Sequence, residues 1–347
     1  MDKLSNNLFF YANKELSQDA FICWLCSFGL EGANRSDMEL VKCANNLVAE
    51  FVRRGIHADD IKTDEVRLKK IEKQVNNIDV LLMIEYLGET YRVIIEDKIH
   101  ASEHDNQLQR YKKSLFKENE KLIGIYFKTG FQSDRTMVEN EGYVFFDRKD
   151  ILGILRECRS ENAIFRDYCE YWEEFERLAN SYKLRPIDEW TDWQVVNGFY
   201  DEMQSELKKR GVNAGYGYVS NKSGGFWGLW FGTDNNLIEG KDFVAEIYLQ
   251  VEIKWNNDAG RHDVKICLKM EKKSDHSQDD QTRKLRDFIV DKMGSYGFDR
   301  PGRLGYGQYM TVGNYRMSVN TAAELDKAIF DCLADYKRLV NDIKGQW

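Results

Sequence analysis

Proline is almost missing from this chain: the 347 residues contain two, Pro186 and Pro301. That excludes proline-rich spacers and tails. It also makes Pro186, which follows a long helical pattern in Lys183-Leu-Arg-Pro-Ile-Asp, the best marker of a domain boundary. No run of about 18 apolar residues occurs, so no membrane-spanning helix is expected. Met1 to Phe10 lacks a basic start, a long apolar run and a small-residue cleavage site, so it is not read as a secretory signal. Cysteine is scarce and scattered. Its odd number, seven, in a chain long enough to bury a core without staples fits reduced thiols and a cytoplasmic location. A basic surplus is also lacking. The net charge of −8 excludes wholesale coating of nucleic acid but leaves room for an enzyme with a local basic groove. Internal repeats and low-complexity tracts are absent.

What is present reads as a globular protein, with 42% hydrophobic and 31% charged residues and length for two domains. Leu16, Ala20, Phe21, Leu25 and Phe28 recur at helical spacing and stop at Gly29; a second helix runs from about Asp37 to Arg54. Val66 to Leu68 suggests a short strand. The β-branched runs from Ile78 to Tyr86 and from Tyr91 to Lys98 flank Gly88-Glu89, which predicts a hairpin with a II′ turn. A helix from Glu103 to Lys117, strands at Leu122–Phe127 and Tyr143–Phe146, and helices at about 148–157 and 164–182 follow. Six of the eight tryptophans lie at or after Trp190, so the second half is expected to bury its own aromatic core. There the pattern predicts a helix over 192–210, strands near Gly217 and over 226–231, 243–255, 263–272 and 309–318, and helices over 278–293 and 321–343. The expectation is an α/β domain over 1–185 and an α+β domain over 186–347.

The hairpin carries the chemistry. With Gly88 and Glu89 as loop residues, Asp79 faces Lys98, and Glu96 lies one same-face step from Lys98. Side chains alternate along a strand, so Asp79, Glu96 and Lys98 share a face while Asp97 points away. Same-face neighbours have Cβ atoms about 5 to 7 Å apart. Two carboxylates and an ammonium thus converge near the ends of apolar strands, where buried charge must be paired or bind an ion. Hard divalent cations prefer such oxygen ligands; a lysine beside them can orient water or hold a phosphate. Glu-x-Lys alone is equally the mark of a surface ion pair, so context matters. Downstream, Gln107 and Tyr111 stand at i and i+4 on one helix face; upstream, Glu15 and Asp19 do the same.

Glu15 on a helix, Asp79 on a strand, Glu96-x-Lys98 on the next strand and Gln107-xxx-Tyr111 on the next helix together resemble the PD-(D/E)XK nuclease superfamily, in particular its RecB-like branch. The resemblance covers roughly residues 10 to 150. It implies a restriction-endonuclease-like αβββαβ core. It implies Asp79 and Glu96 as ligands of Mg²⁺ or Mn²⁺, Glu15 as the acid completing the metal site, and Lys98 as the catalytic lysine. Gln107 and Tyr111 would contact substrate or support the site. The family name calls for proline before the aspartate, where this chain has Ile78. The implied activity is metal-dependent phosphodiester hydrolysis, with DNA ahead of RNA, in a bacterial defence or repair setting. The second domain would hold substrate, bind a partner protein or form a homodimer. The alternative is an inactive nuclease-like module that binds through its C-terminal domain. Arg110 and Lys112, with Lys113, Lys117, Lys121 and Lys128, would line a phosphate-binding groove or simply form a solvated face.

Competing motifs are weaker. His100-Ala-Ser-Glu103-His104 matches a zinc-peptidase pattern, but His100 falls in the turn after Lys98 rather than on a helix, so these histidines read as loop residues beside the cleft. Cys23-Trp-Leu-Cys26 lacks a second pair at zinc-ribbon spacing and suits helix packing. Cys43, Cys158 and Cys169 show no iron–sulfur spacing. Gly302 to Gly307 lacks the ending of a phosphate loop. The aromatics from Tyr216 to Phe231 are read as core ahead of a base-stacking surface.

Overall fold

The computed structural model describes residues 6–33, 36–101, 107–115, 120–220, 225–233, 237–240, 243–256, 260–273, 279–305 and 307–347. The chain divides into two compact units, Met1–Glu176 and Arg177–Trp347.

The first unit is a mixed α/β unit. Helices α1 (Leu8–Tyr11), α2 (Glu15–Ser27) and α3 (Met38–Ile56) precede strands β1 (Val66–Val75), β2 (Ile78–Tyr86) and β3 (Glu89–Lys98). Helix α4 (Gln107–Leu115), β4 (Lys121–Lys128), α5 (Thr136–Asn140), β5 (Tyr143–Asp147), α6 (Arg148–Leu155) and α7 (Ala163–Ala179) follow. The sheet order is β1-β2-β3-β4-β5. The first three strands pair antiparallel, and β3, β4 and β5 run parallel. Composition explains the order. β3 and β4 are nearly continuous apolar runs, as strands covered on both faces require, and the last six residues of each are buried. β1 is much longer than its apolar start, because Lys69, Lys70, Glu72, Lys73 and Gln74 give it the charged character that keeps an edge strand from pairing further.

Helix α3 begins where the Asp37 carboxylate accepts the Glu39 and Leu40 amides at 3.1 Å, a side-chain cap. It lies on one face of the sheet, where Phe51 meets Phe146 edge to face and Phe146 stacks on Phe127. Gly55 lets it approach β4, since a Cβ there would fall 2.3 Å from an Ile123 methyl. The other face is closed by α4: Ile78, Ile94, Leu108, Tyr111, Tyr126 and Tyr143 form one buried cluster.

The β2–β3 register corrects the sequence reading. Tyr86 pairs with Glu89 and Val80 with Ile95, so Leu87 and Gly88 form the loop and Asp79 lies across from Glu96 rather than Lys98. The shift is two residues, so every side chain keeps its face. The turn is type I′, because both loop residues have positive φ, 50° at Leu87 and 78° at Gly88.

The second unit holds α8 (Trp193–Lys209), strands β6 (Ala214–Val219), β7 (Phe226–Phe231), β8 (Leu237–Gly240), β9 (Phe243–Asn256) and β10 (Arg261–Lys272), then α9 (Asp279–Met293), β11 (Phe298–Asp299), β12 (Tyr309–Tyr315) and α10 (Ala322–Gln346). Its strands pair antiparallel in the order β11-β12-β10-β9-β7-β6, with β8 beside β9. The short β8 and β11 were not expected from sequence. Helices α8 and α10 are tied to the sheet by tyrosines: Tyr200 donates to the Trp227 carbonyl at 3.1 Å and Tyr336 to the Gly232 carbonyl at 2.9 Å. The aromatic stretch divides, with Tyr216 and Phe231 buried and Tyr218 exposed. Within the second unit, Gly198 of α8 sits so close to the Ala179 carbonyl that a Cβ would fall 1.8 Å from its oxygen.

Leu87 is exposed and holds a left-handed backbone conformation that costs an L-residue roughly 1–2 kcal/mol. Leu87→Asn, which tolerates that conformation and gives the Asn-Gly pair of I′ turns, should therefore stabilise the first unit by about 1 kcal/mol in urea titration. A loss of stability would mean that the turn is not I′.

Candidate active site

Three successive ionisable residues close β3, and alternation sends them to different places. Glu96 and Lys98 turn to the α4 face, and Asp97 turns to α2; Glu96 and Asp97 are fully buried and Lys98 is 8% exposed. Lys98 Nζ donates to Glu96 Oε1 in a short ion pair. The second Glu96 oxygen, Oε2, is buried and meets no hydrogen-bond donor among the described residues. Asp79 stands across from Glu96, and its Oδ2 accepts the Asp97 amide at 2.9 Å. The sequence-predicted trio therefore does come together.

Asp97 enters a network that the sequence did not reveal. Gln18 Nε2 donates to Asp97 Oδ1 at 2.5 Å, and Gln18 Oε1 accepts from Thr129 at 3.0 Å and Tyr168 at 3.2 Å. Asp19, the next residue of α2, lies beside Asp97, and Gln74 Nε2 spans Asp19 Oδ2 and Asp79 Oδ1 at 3.3 Å each. Glu15 opens α2, and its Oε1 accepts the Ile99 amide at 3.0 Å. Lys128 of β4 pairs in register with Lys98, is fully buried and donates to the Ala101 carbonyl at 2.5 Å. The exits of β3 and β4 are pinned: the Thr129 amide donates to the Lys98 carbonyl at 3.3 Å, and a Cβ on Gly130 would fall 1.9 Å from the Ile99 carbonyl oxygen.

The remaining predicted residues are placed less uniformly. Gln107 Nε2 donates to the Tyr111 hydroxyl, and the tyrosine is buried within the field of Glu96, Asp79 and Lys98. Arg110 is exposed on the same helix. Lys112 donates to the Glu141 and Gly142 carbonyls and lies 4.8 Å over the Tyr143 ring, so it anchors the turn before β5. Lys121 pairs with Glu89. Lys117 lies outside the described residues, as do Glu103 and His104 of the zinc-like motif. His100 is described and is held below the usual imidazole range by burial and then by the Lys128 charge. All seven cysteines are free thiols.

Crowded acids in a dry site hold protons. Burial, then the Asp79 charge, pushes the Glu96 carboxyl up to about 7 and that of Asp19 up to about 6. Burial, then Asp19, lifts Asp97 well above the carboxylate range. Burial pulls Lys98 down, but the Glu96 charge and hydrogen bond with the Asp79 charge outweigh it, and its ammonium is held above the ordinary range. Lys128 goes the other way: burial lowers it to about 8 despite the Glu15 charge.

One oxygen each of Asp19, Glu96 and Asp97 is buried without a donor among the described residues, that of Glu96 on the α4 side and those of the two neighbouring aspartates on the α2 side; hard anionic oxygens of this kind suit a divalent cation. Among the described residues no three His, Cys, Asp or Glu side chains are grouped so that they could hold a metal ion together. Mg²⁺ keeps several waters and needs only one or two carboxylates, so the donor set fits it.

Residues 6–177 match the family model of the PD-(D/E)XK nuclease superfamily. The match takes in every element that supplies this cluster, from α2 to β4. Comparison with curated proteins and with solved structures finds no match. Among the described residues no helix is long and apolar enough to cross a membrane.

The PD-(D/E)XK match and the acid cluster give one prediction for the metal-free protein. A carboxyl raised on folding keeps its proton longer in the native state, so the stability it lends is present at low pH and lost as pH rises through the native value. For Glu96 that window runs from 4.5 to about 7, and for Asp19 from 3.8 to about 6. Denaturant titrations should therefore show stability falling across this interval, a fall flattened in Glu96→Gln. A rise across the interval in wild type would contradict the raised values.

Proposed function

We propose that the chain is a metal-dependent nuclease that hydrolyses phosphodiester bonds, with DNA the favoured substrate. The observation that carries this is the convergence of Asp79, Glu96 and Lys98 at one end of β2 and β3, with the Glu96 Oε2 buried and lacking a donor. The helix, three antiparallel strands, helix, strand order of the first unit supports it, as does the family match over 6–177.

Asp79 and Glu96 would hold Mg²⁺ or Mn²⁺. Bound there, the cation supplies an acidified water and neutralises charge developing on the phosphate. Lys98, fixed by Glu96, presents its ammonium to the attacking water or to a non-bridging phosphate oxygen. Its elevated proton affinity keeps it cationic at neutral pH, so it acts as donor and charge rather than as base. Gln107 and Tyr111 support the opposite wall through their mutual hydrogen bond, and Arg110 is available to a neighbouring phosphate. The second unit would serve substrate or partner binding.

The test is cleavage of single- and double-stranded DNA and of RNA by purified protein with Mg²⁺ or Mn²⁺. Wild type should cut, and Asp79→Asn and Lys98→Ala should each lose about 10²-fold or more in rate. Equal cutting by all three would place the activity elsewhere. No cutting of any substrate, with Mn²⁺ shown to bind, would favour the inactive binding module.

A further inference from the structure

The sheet of the second unit has two unlike faces. Strand alternation puts Tyr216, Leu229, Leu249 and Leu268 on one of them. The helices of the unit pack there. Tyr216 donates to Asp201 of α8 at 3.0 Å, and Tyr315 donates to Asp335 of α10 at 2.8 Å. A Cβ on Gly313, which pairs with Leu268, would fall 2.7 Å from the Met293 sulfur of α9. The opposite face carries Gly215, Trp230, Gln250, Cys267 and Asn314 as one row across β6, β7, β9, β10 and β12. Trp230 lies flat on this face. A Cβ at Gly215 would fall 2.6 Å from the indole nitrogen, and one at Gly217 would fall 3.4 Å from the far end of the ring. In the alternation Gly215-Tyr216-Gly217-Tyr218 the glycines therefore seat an indole. The inner side of that ring is covered, so the exposure left to half-buried Trp230 belongs to its outer side and edge. The ring makes no hydrogen bond or ring contact among the described residues. Beside it, Gln250 is 5% exposed; its Nε2 donates to Glu252 at 3.0 Å, and its Oε1 accepts no bond among the described residues. Asn314 accepts the Cys267 thiol at 3.5 Å, which leaves its NH₂ group unengaged among the described residues. The nearby charges are engaged with one another: Lys269 with Glu252 at 3.6 Å, and Lys273 with Glu246 and Glu271 at 2.8 Å each. An open ring, free amide edges and mutually paired charges match an uncharged planar group with hydrogen-bonding edges, and do not match a phosphate.

We propose that this face of the second unit binds an unpaired nucleobase, which stacks on the outer side of Trp230 while Gln250 contacts its edge, so that the chain holds single-stranded nucleic acid in preference to duplex. The inference rests on the nuclease reading above, which makes nucleic acid the substrate, and gives the second unit its part in choosing the strand state. Bases inside a duplex are stacked on both sides and paired along one edge, so only an unpaired base offers a free ring and a free edge together. An aromatic ring laid on an uncovered sheet is also tolerant of sequence, because every base has a face to stack.

The experiment is binding of labelled single-stranded DNA, single-stranded RNA and duplex DNA to the full chain, read by fluorescence anisotropy in EDTA, where metal-dependent cleavage is off. Circular dichroism checks folding. Wild type should bind a single strand more tightly than duplex. Trp230→Ala should weaken single-strand binding by about tenfold or more, the loss of one stacked base, and leave duplex binding unchanged. Trp230→Phe, which keeps a ring, should retain most of the affinity. Should Trp230→Ala not fold, Trp230→Leu, apolar but not aromatic, replaces it. Unchanged single-strand affinity in the folded Trp230 variant overturns the proposal, as does tighter binding of duplex by wild type. A wild type that cuts nucleic acid with Mn²⁺ yet binds no single strand in EDTA also overturns it and leaves the nuclease reading standing. Single-strand binding that depends on Trp230, in a protein that cuts nothing, would confine the failure to the nuclease reading. A wild type that neither binds nor cuts any of the three would bring down both.

Discussion

Glu96, Asp97 and Lys98 are three consecutive ionisable side chains with 0%, 0% and 8% exposure at the end of a central strand. Charge in such a place is unfavourable unless it is neutralised locally. Much of the first unit reads as the set of partners that makes it tolerable. β2 supplies Asp79 against the Asp97 backbone, α2 supplies Gln18 against its side chain, and Lys98 folds back on Glu96. The imbalance is acidic even so, since Asp19, Asp79, Glu96 and Asp97 outnumber the ammoniums that act on them among the described residues, Lys98, Lys73 and Lys128. That deficit of positive charge motivates the metal reading better than any one motif residue.

The hydrophobic alternation that buries the sheet also sorts the chemistry. Ile94 and Tyr126 pack under α4, and Phe127 packs toward α3. The polar residues that continue the same strands inherit those directions, so Glu96 and Lys98 emerge beside Tyr111 while Asp97 emerges beside Gln18. The site is thus an extension of the core pattern into charged residues, held on rigid strands rather than loops.

Legibility in the sequence follows from whether the signal was local. The face shared by Asp79, Glu96 and Lys98 survived a wrong turn assignment, because the register error was an even number of residues. The turn itself misled because Leu87 occupies a position that Asn or Gly would normally advertise. β1 looked short because its exposed half is charged. Gln18 was invisible as a site component, and Lys128 was legible only as a groove or surface cation, not as a fully buried one beside Lys98. Their roles come from packing across elements distant in sequence, and a lone glutamine on a helix or lysine ending a strand carries no periodic signal. Asp19 was legible only as a neighbour of Glu15 on one helix face.

The close passage of Gly130 beneath the Ile99 carbonyl couples features that otherwise look separate. Ile99 is also the residue whose amide Glu15 engages, and Lys98 immediately before it receives the Thr129 amide. The backbone after β4 and a side chain from α2 are thereby clamped around the two peptide units that flank Ile99. Any side chain at residue 130 would act as a wedge whose thrust passes along those peptides to both the helix terminus and the lysine. A position that touches no reacting group thus sets the spacing of those that would.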